Sequence, residues 1–206
     1  MKDRHPGFFR EMIDMYPVVI LAGGKSRRMG RDKLALPVNG RTLLESAVSR
    51  FEAEFDEVVI SVADGNKYPE VKVRRVVDIL PGAGPLSGLH AALALLPQDG
   101  VFLVAADLPF SCPLAAKRII ELCGGKEASV IRLPDGKLEP LFGFYRKTLL
   151  SRCEDAINSG DYRMTEILHG ADTLFVSPEE IGTLWDERLI YNINRPEDFK
   201  KAAIEF

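Results

Sequence analysis

The chain has 206 residues, enough for one large domain or two small ones with a substantial core. Its 27 lysines and arginines against 30 aspartates and glutamates leave a net charge of −3, which excludes a global field for nucleic acid or anionic membrane and makes any basic site a local one. Cys112, Cys123 and Cys153 form no C-x-x-C pair and His5, His90 and His169 are scattered, so neither a disulfide framework nor a zinc site is expected, and no apolar run approaches the roughly 18 residues of a membrane span.

The first sixteen residues, MKDRHPGFFREMIDMY, interrupt their apolar stretches with charges. They read either as a loosely ordered extension or as a short amphipathic helix docking Phe8, Phe9, Met12 and Met15. PVVILA (17–22) is a β-branched strand that runs into LAGGKSRRMGRDK (21–33). The GGKS within that stretch invites a P-loop reading, but position 19, where the motif needs its outer glycine, is Val19. TLLESAVSRFEAEF (42–55) has helical apolar spacing, with Thr42 and Glu45 as a capping box. EVVISVA (57–63) and VKVRRVVD (71–78) read as strands. PLSGLHAALALL (85–96) reads as a helix entered by Pro85 and stopped by Pro97. VFLVAAD (101–107) is the most apolar strand, and PLAAKRIIELC (113–123) is a helix ended by Gly124 and Gly125. ASVIRL (128–133) and EPLFGFY (139–145) are strands divided by the turn PDGK. LIYNIN (189–194) reads as a last strand, with Pro196 opening a last helix.

Strands alternating with helices predict an open, mostly parallel α/β sheet flanked by helices, a Rossmann-like three-layer arrangement in a single domain. Ligands of such sheets bind beyond the carboxyl ends of the strands. Three loaded stretches fall there: the glycine and basic loop after the first strand, Asp78, and Asp107. Gly23 and Gly24 let the backbone approach a ligand. Lys33 supplies a point charge for phosphate, and Arg27 and Arg28 are able to clamp oxygens bidentately. Asp107 stands at the mouth of a buried strand, suited to Mg²⁺ or, as the plain alternative, to starting the turn before Pro109. Asn192 and Asn194, two apart on the expected strand, share one face.

LAGGKSRRMGRDK resembles the opening signature of the GT-A-like nucleotidyltransferases, and within them the molybdenum cofactor guanylyltransferases. VVDILPGAGPLSGL, VAADLPF, EPLFGFY and YNINRPEDF follow in that family's order, so the resemblance runs from about Tyr16 to Phe199. It implies Mg²⁺-dependent transfer of GMP from GTP to the terminal phosphate of molybdopterin, with release of pyrophosphate; the cytoplasm is expected as its place from the short apolar runs and the charge-interrupted first sixteen residues. Catalytic roles are then implied for Lys33, Asp107 and Arg27, and metal binding for Asp107. The nucleotide would be met by Leu21, Ala22, Gly23, Gly24, Lys33, Ser61, Asp78 and Asp107. Arg28, Gly82, Gly88, Glu139, Asn192 and Asn194 are further candidates. Ser61 departs from the asparagine usual in the family. Partners implied are GTP, molybdopterin and cofactor-delivery or molybdoenzyme maturation proteins, with no nucleic acid and no membrane. The alternatives are a cytidylyltransferase or other nucleotidyltransferase of this fold, and a nucleotide-binding module without catalysis.

Overall fold

Every residue of the strand Val18–Leu21 is buried, which requires cover on both faces of the sheet. The computed structural model describes residues 13, 15–23, 32–35, 37, 38, 40–193 and 198. Among these the strands are β1 (Val18–Leu21), β2 (Pro37–Val38), β3 (Arg41–Thr42), β4 (Val58–Val62), β5 (Arg74–Val77), β6 (Gly100–Ala105), β7 (Ala128–Arg132), β8 (Leu138–Arg146) and β9 (Thr173–Val176). The α-helices are α1 (Leu43–Glu52), α2 (Pro85–Leu95), α3 (Pro113–Cys123), α4 (Leu150–Ser159), α5 (Met164–His169) and α6 (Pro178–Ile181).

Seven strands make one sheet in the order β5-β4-β1-β6-β8-β7-β9, while β2 and β3 form a small separate pair. All neighbours run parallel except β8, which is antiparallel to both β6 and β7. Side chains alternate across the sheet as the pleat demands. Val18, Ile20, Ile60, Phe102 and Val104 join α1 and α3 in one core, and Val19, Leu21, Val59, Val101 and Leu103 join α2, α4 and α5 in the other. The expected three-layer α/β arrangement is therefore the observed one. Because β8 is reversed, its first residues lie at the same sheet edge as the last residues of β1, β4, β5 and β6. That edge gathers Gly23, Asp78, Asp107 and Glu139.

Local chemistry accounts for the helix starts. Thr42 Oγ1 accepts the Glu45 amide (3.1 Å) and Glu45 Oε2 accepts the Thr42 amide (2.8 Å), the capping box read from the sequence. Pro85 and Pro113 open α2 and α3 at positions whose amides have no helical partner. Among the described residues, no helix is long and apolar enough to cross a membrane.

Two expectations are corrected. The described part of LIYNIN, residues 189–193, forms no strand: Glu187–Ile190 is a 3₁₀ turn and 191–193 follow without regular structure. Leu189 and Ile193, four apart, are the buried residues there, a helical rather than alternating spacing. The strand expected over 71–78 is only Arg74–Val77, because the Val71 amide bonds back to the Tyr68 carbonyl in a turn. The helix expected at Pro196 lies outside the described residues.

Gly143 shows how tightly β8 is held. A Cβ there would sit 2.5 Å from Val130 Cγ1 and 2.9 Å from the Ser129 carbonyl oxygen. Gly143→Ala is expected to lower the unfolding free energy by about 1–3 kcal/mol. Gly125→Ala, with nothing within 4 Å, should change it by less than about 0.5 kcal/mol in the same urea titrations.

Candidate active site

Asp107 lies two residues past β6, and its backbone is fixed by its neighbours. The Ala106 amide donates to the Leu21 carbonyl (3.2 Å), and the Asp107 carbonyl accepts the Ile193 amide (3.0 Å). Lys33 Nζ donates to Asp107 Oδ2 and to the Ile193 carbonyl, the latter at 2.8 Å. Both side chains of the ion pair are largely covered, 18% exposed for Lys33 and 15% for Asp107. Three distant pieces of chain, around 33, 107 and 193, therefore meet through one ammonium group.

Lys33 begins the 3₁₀ turn Lys33–Ala35, and Asp32 anchors that turn. Asp32 Oδ1 accepts the Leu34 amide (3.1 Å), and its Oδ2 accepts the Tyr68 hydroxyl (2.7 Å). Tyr68 itself sits at φ 52, an uncommon backbone state for a residue with a Cβ. Arg75 holds that bend by donating to the carbonyls of Tyr68 (2.6 Å) and Val71 (2.7 Å). Burial, with the hydrogen bond to Asp32, pushes the Tyr68 hydroxyl pKa upward, so it remains a donor. Asp32, Tyr68 and Arg75 were absent from the sequence expectations. Asp32 was visible inside the opening signature, but its partner 36 residues away was not.

Two buried oxygens have no hydrogen-bond partner: Asp107 Oδ1 and the Oδ1 of Asn192, the residue before Ile193 in the chain. An unpaired buried acceptor costs about 1–3 kcal/mol. Hard divalent cations are bound through such oxygens, and Mg²⁺ in particular through one or two carboxylates plus oxygens of its ligand and water. Among the described residues no three His, Cys, Asp or Glu side chains converge. The donor set thus fits Mg²⁺ held partly by a substrate rather than a metal caged by protein alone.

Glu139 stands near Asp107 at the start of β8. Burial and the Asp107 charge push its carboxyl pKa up, against the pull of the Leu141 amide it accepts at 3.0 Å. The register between β7 and β8 shifts here: Val130 faces Gly143, while Ile131 faces Glu139. Such a bulge re-aims side chains at a sheet end.

On the other side of Asp107, Gly23 is exposed with open space where a Cβ would be. The side chains of Leu21 and Ala22 are buried, so these two offer main chain to the edge. Gly82, at φ 105, allows the exposed turn before α2. Gly88 and Ser61 are covered: a Cβ on Gly88 would lie 2.5 Å from both Leu21 Cδ2 and Ser61 Oγ. Through this close contact they pack α2 onto the sheet. Asp78 is half-buried at the end of β5, and burial alone raises its pKa from 3.8 to about 6. Gly24, Arg27, Arg28 and Asn194 lie outside the described residues.

The Lys33–Asp107 pair lies where α/β sheets take up their ligands, beyond the carboxyl ends of parallel strands, and comparison with known proteins gives the class. The sequence profile of the MobA-like NTP transferase domain matches residues 18–174. A probable molybdenum cofactor guanylyltransferase of Pelotomaculum thermopropionicum is 34% identical, covering 90% of this chain and 91% of its own. The molybdenum cofactor guanylyltransferase of Syntrophotalea carbinolica is 33% identical, over 89% of this chain and 88% of its own. The crystal structure of molybdopterin-guanine dinucleotide biosynthesis protein A from Archaeoglobus fulgidus superposes with a TM-score of 0.80 at 25% identity, covering 92% of this chain and 97% of that one. The chain belongs to the MobA-like NTP transferase family and is a nucleotidyltransferase.

Asp78 gives a pH test. Its folded pKa, about 6, lies above its unfolded value, so above pH 6 the folded state carries an ionised carboxylate that burial disfavours. That penalty fades as pH falls from about 6 to 4, where the folded protein takes up the proton. Its ceiling is about 3 kcal/mol, and partial exposure reduces it to about 1–2 kcal/mol. Asp78→Asn should therefore stabilise the protein by about that amount at pH 7.5 and by almost nothing at pH 4, measured as the difference from wild type in urea unfolding.

Proposed function

We propose that the chain transfers GMP from GTP to the terminal phosphate of molybdopterin, releasing pyrophosphate. The carrying observation is the pairing of Lys33 with Asp107, whose second carboxylate oxygen is buried and unpartnered. The names of the relatives support GTP and molybdopterin as the substrates.

The reaction exchanges one phosphorus–oxygen bond for another. An oxygen of the molybdopterin phosphate attacks the α-phosphorus of GTP, the bond to the β-phosphate breaks, and its electron pair leaves on pyrophosphate. A phosphate monoester has a second pKa of about 6 and is already anionic near neutrality, so no general base is required. What remains is orientation and charge neutralisation.

Lys33 supplies one positive charge at a fixed point, because Ile193 and Asp107 hold its ammonium from two sides. The open backbone at Gly23 admits the nucleotide closely, with Asp78 at the neighbouring strand end. Arg27 and Arg28 belong to the same proposal as clamps for phosphate oxygens. Asp107 Oδ1, joined by Asn192 Oδ1, would hold Mg²⁺ together with phosphate oxygens. Bound there, the ion supplies charge neutralisation at the triphosphate.

The assay is initial-rate release of pyrophosphate with GTP or CTP, molybdopterin and Mg²⁺. GTP is expected to be the substrate; release with CTP alone would replace guanylyl by cytidylyl transfer, and release with neither would leave a binding module. Asp107→Ala should cost at least a hundredfold in rate, about 2.7 kcal/mol. Lys33→Ala should cost at least tenfold, and Lys33→Arg should recover only part of that, since a planar guanidinium replaces a compact ammonium poorly in a packed site. Near-normal turnover of folded Asp107→Ala would refute the assignment.

A further inference from the structure

A cavity of about 640 Å³ lies beyond the ends of β7 and β9. Since β7 runs parallel to β6 and β9 parallel to β7, those ends share the sheet edge of Asp107, but on the side away from β1, β4 and β5. The volume falls in the range of small-molecule sites. Leu133, Trp185 and Ile190 supply apolar walls, and Asp135, Glu179 and Glu187 are also in the lining.

We infer that this cavity seats the fused-ring pterin head of the acceptor, with Trp185 as an apolar wall and Glu187 as the acceptor of its amino and ring N–H groups. The inference rests on the acceptor named above and adds where its head is recognised. Charge supports it first. Three carboxylates repel a phosphate or pyrophosphate, whereas a neutral ring whose 2-amino and N3–H groups form a two-donor edge matches a carboxylate bidentately.

The availability of Glu187 supports it second. Asp135 is engaged by Lys137 at 2.8 Å, and the nearby Ser177 hydroxyl holds the Glu179 carboxyl below its usual range. Glu187 has no hydrogen-bond or ion-pair partner among the described residues. Chain connection supports it third. Ile190 lines the cavity, while Asn192 and Ile193 stand at Asp107 and Lys33. Three residues span at most about 11 Å, a distance that a fused ring with a phosphate-bearing arm can bridge. A head in this cavity therefore brings its phosphate towards Asp107 from the side opposite Gly23 and Asp78, the approach that in-line displacement needs.

Trp185 is the single tryptophan of the chain, so its fluorescence reports on the cavity directly. The full-length protein would be titrated with a stable pterin monophosphate and with the corresponding lumazine, in which a 2-oxo group replaces the 2-amino donor. The expected result is saturable quenching with at least tenfold tighter binding of the pterin, and loss of that preference in Glu187→Gln. In parallel, Glu187→Gln should raise the KM for molybdopterin at least tenfold while leaving that for GTP within about twofold. Equal binding of pterin and lumazine by wild type, or an unchanged preference in Glu187→Gln, would overturn the inference even with normal pyrophosphate release from GTP. A retained, Glu187-dependent pterin preference without pyrophosphate release would support the cavity and overturn the catalytic reading instead.

Discussion

The ion pair between Lys33 and Asp107 is the constraint on which the site depends. A partly buried carboxylate and ammonium each lose hydration, and they recover it only from partners held in place. Here the partners come from everywhere in the chain. Asp32, Tyr68 and Arg75 set the turn that carries Lys33, β6 delivers Asp107, and Ile193 closes the arrangement with one amide and one carbonyl. The sheet order explains why this is possible: β1 and β6 are neighbours, so the loops that leave them are adjacent at one edge.

Several groups at that edge are less stable than they would be elsewhere. The unpartnered oxygens of Asp107 and Asn192 and the disfavoured charge of Asp78 arise from burial, and the raised pKa of Glu139 from burial together with the Asp107 charge. Polar groups left in such states are costly to the fold alone. A ligand carrying phosphates and N–H donors, with a divalent cation, would satisfy them together, which is why perturbed groups clustered in one place mark a functional site. The packed body beneath absorbs that cost through two continuous cores, one on each face of the sheet.

The sequence made the first two-thirds of the fold legible because its strands are buried on both faces and its helices carry caps. Continuous apolar runs such as VFLV, and Thr42 with Glu45, need little tertiary information to interpret. The segment from 147 to 188 was harder. In α4 the single fully covered position is Cys153, and in β9 only Val176 is buried, so neither element has a pronounced pattern. LIYNIN misled because its alternation of apolar and polar residues imitates a strand, whereas tertiary contacts to Asp107 and Lys33 decide its shape. Of the site, Lys33, Asp107, Asn192 and Glu139 were legible as charged or polar residues at element ends. Asp32, Tyr68 and Arg75 were not, since their roles consist of contacts between residues distant in sequence. Ser61 and Gly88 occupy motif positions, yet here they serve the packing of α2 on β1 and β4.

The central claim is that Lys33 and Asp107 act as one unit on the triphosphate, and a double-mutant cycle tests it most directly. Lys33→Ala, Asp107→Ala and the double variant would be compared with wild type in kcat/KM for GTP. Groups acting together give strongly non-additive losses. The account predicts that the double variant is no worse than the poorer single variant by more than about threefold, an allowance of about 0.7 kcal/mol. Losses that multiply, with the double variant showing the full product of the two single effects, would contradict it.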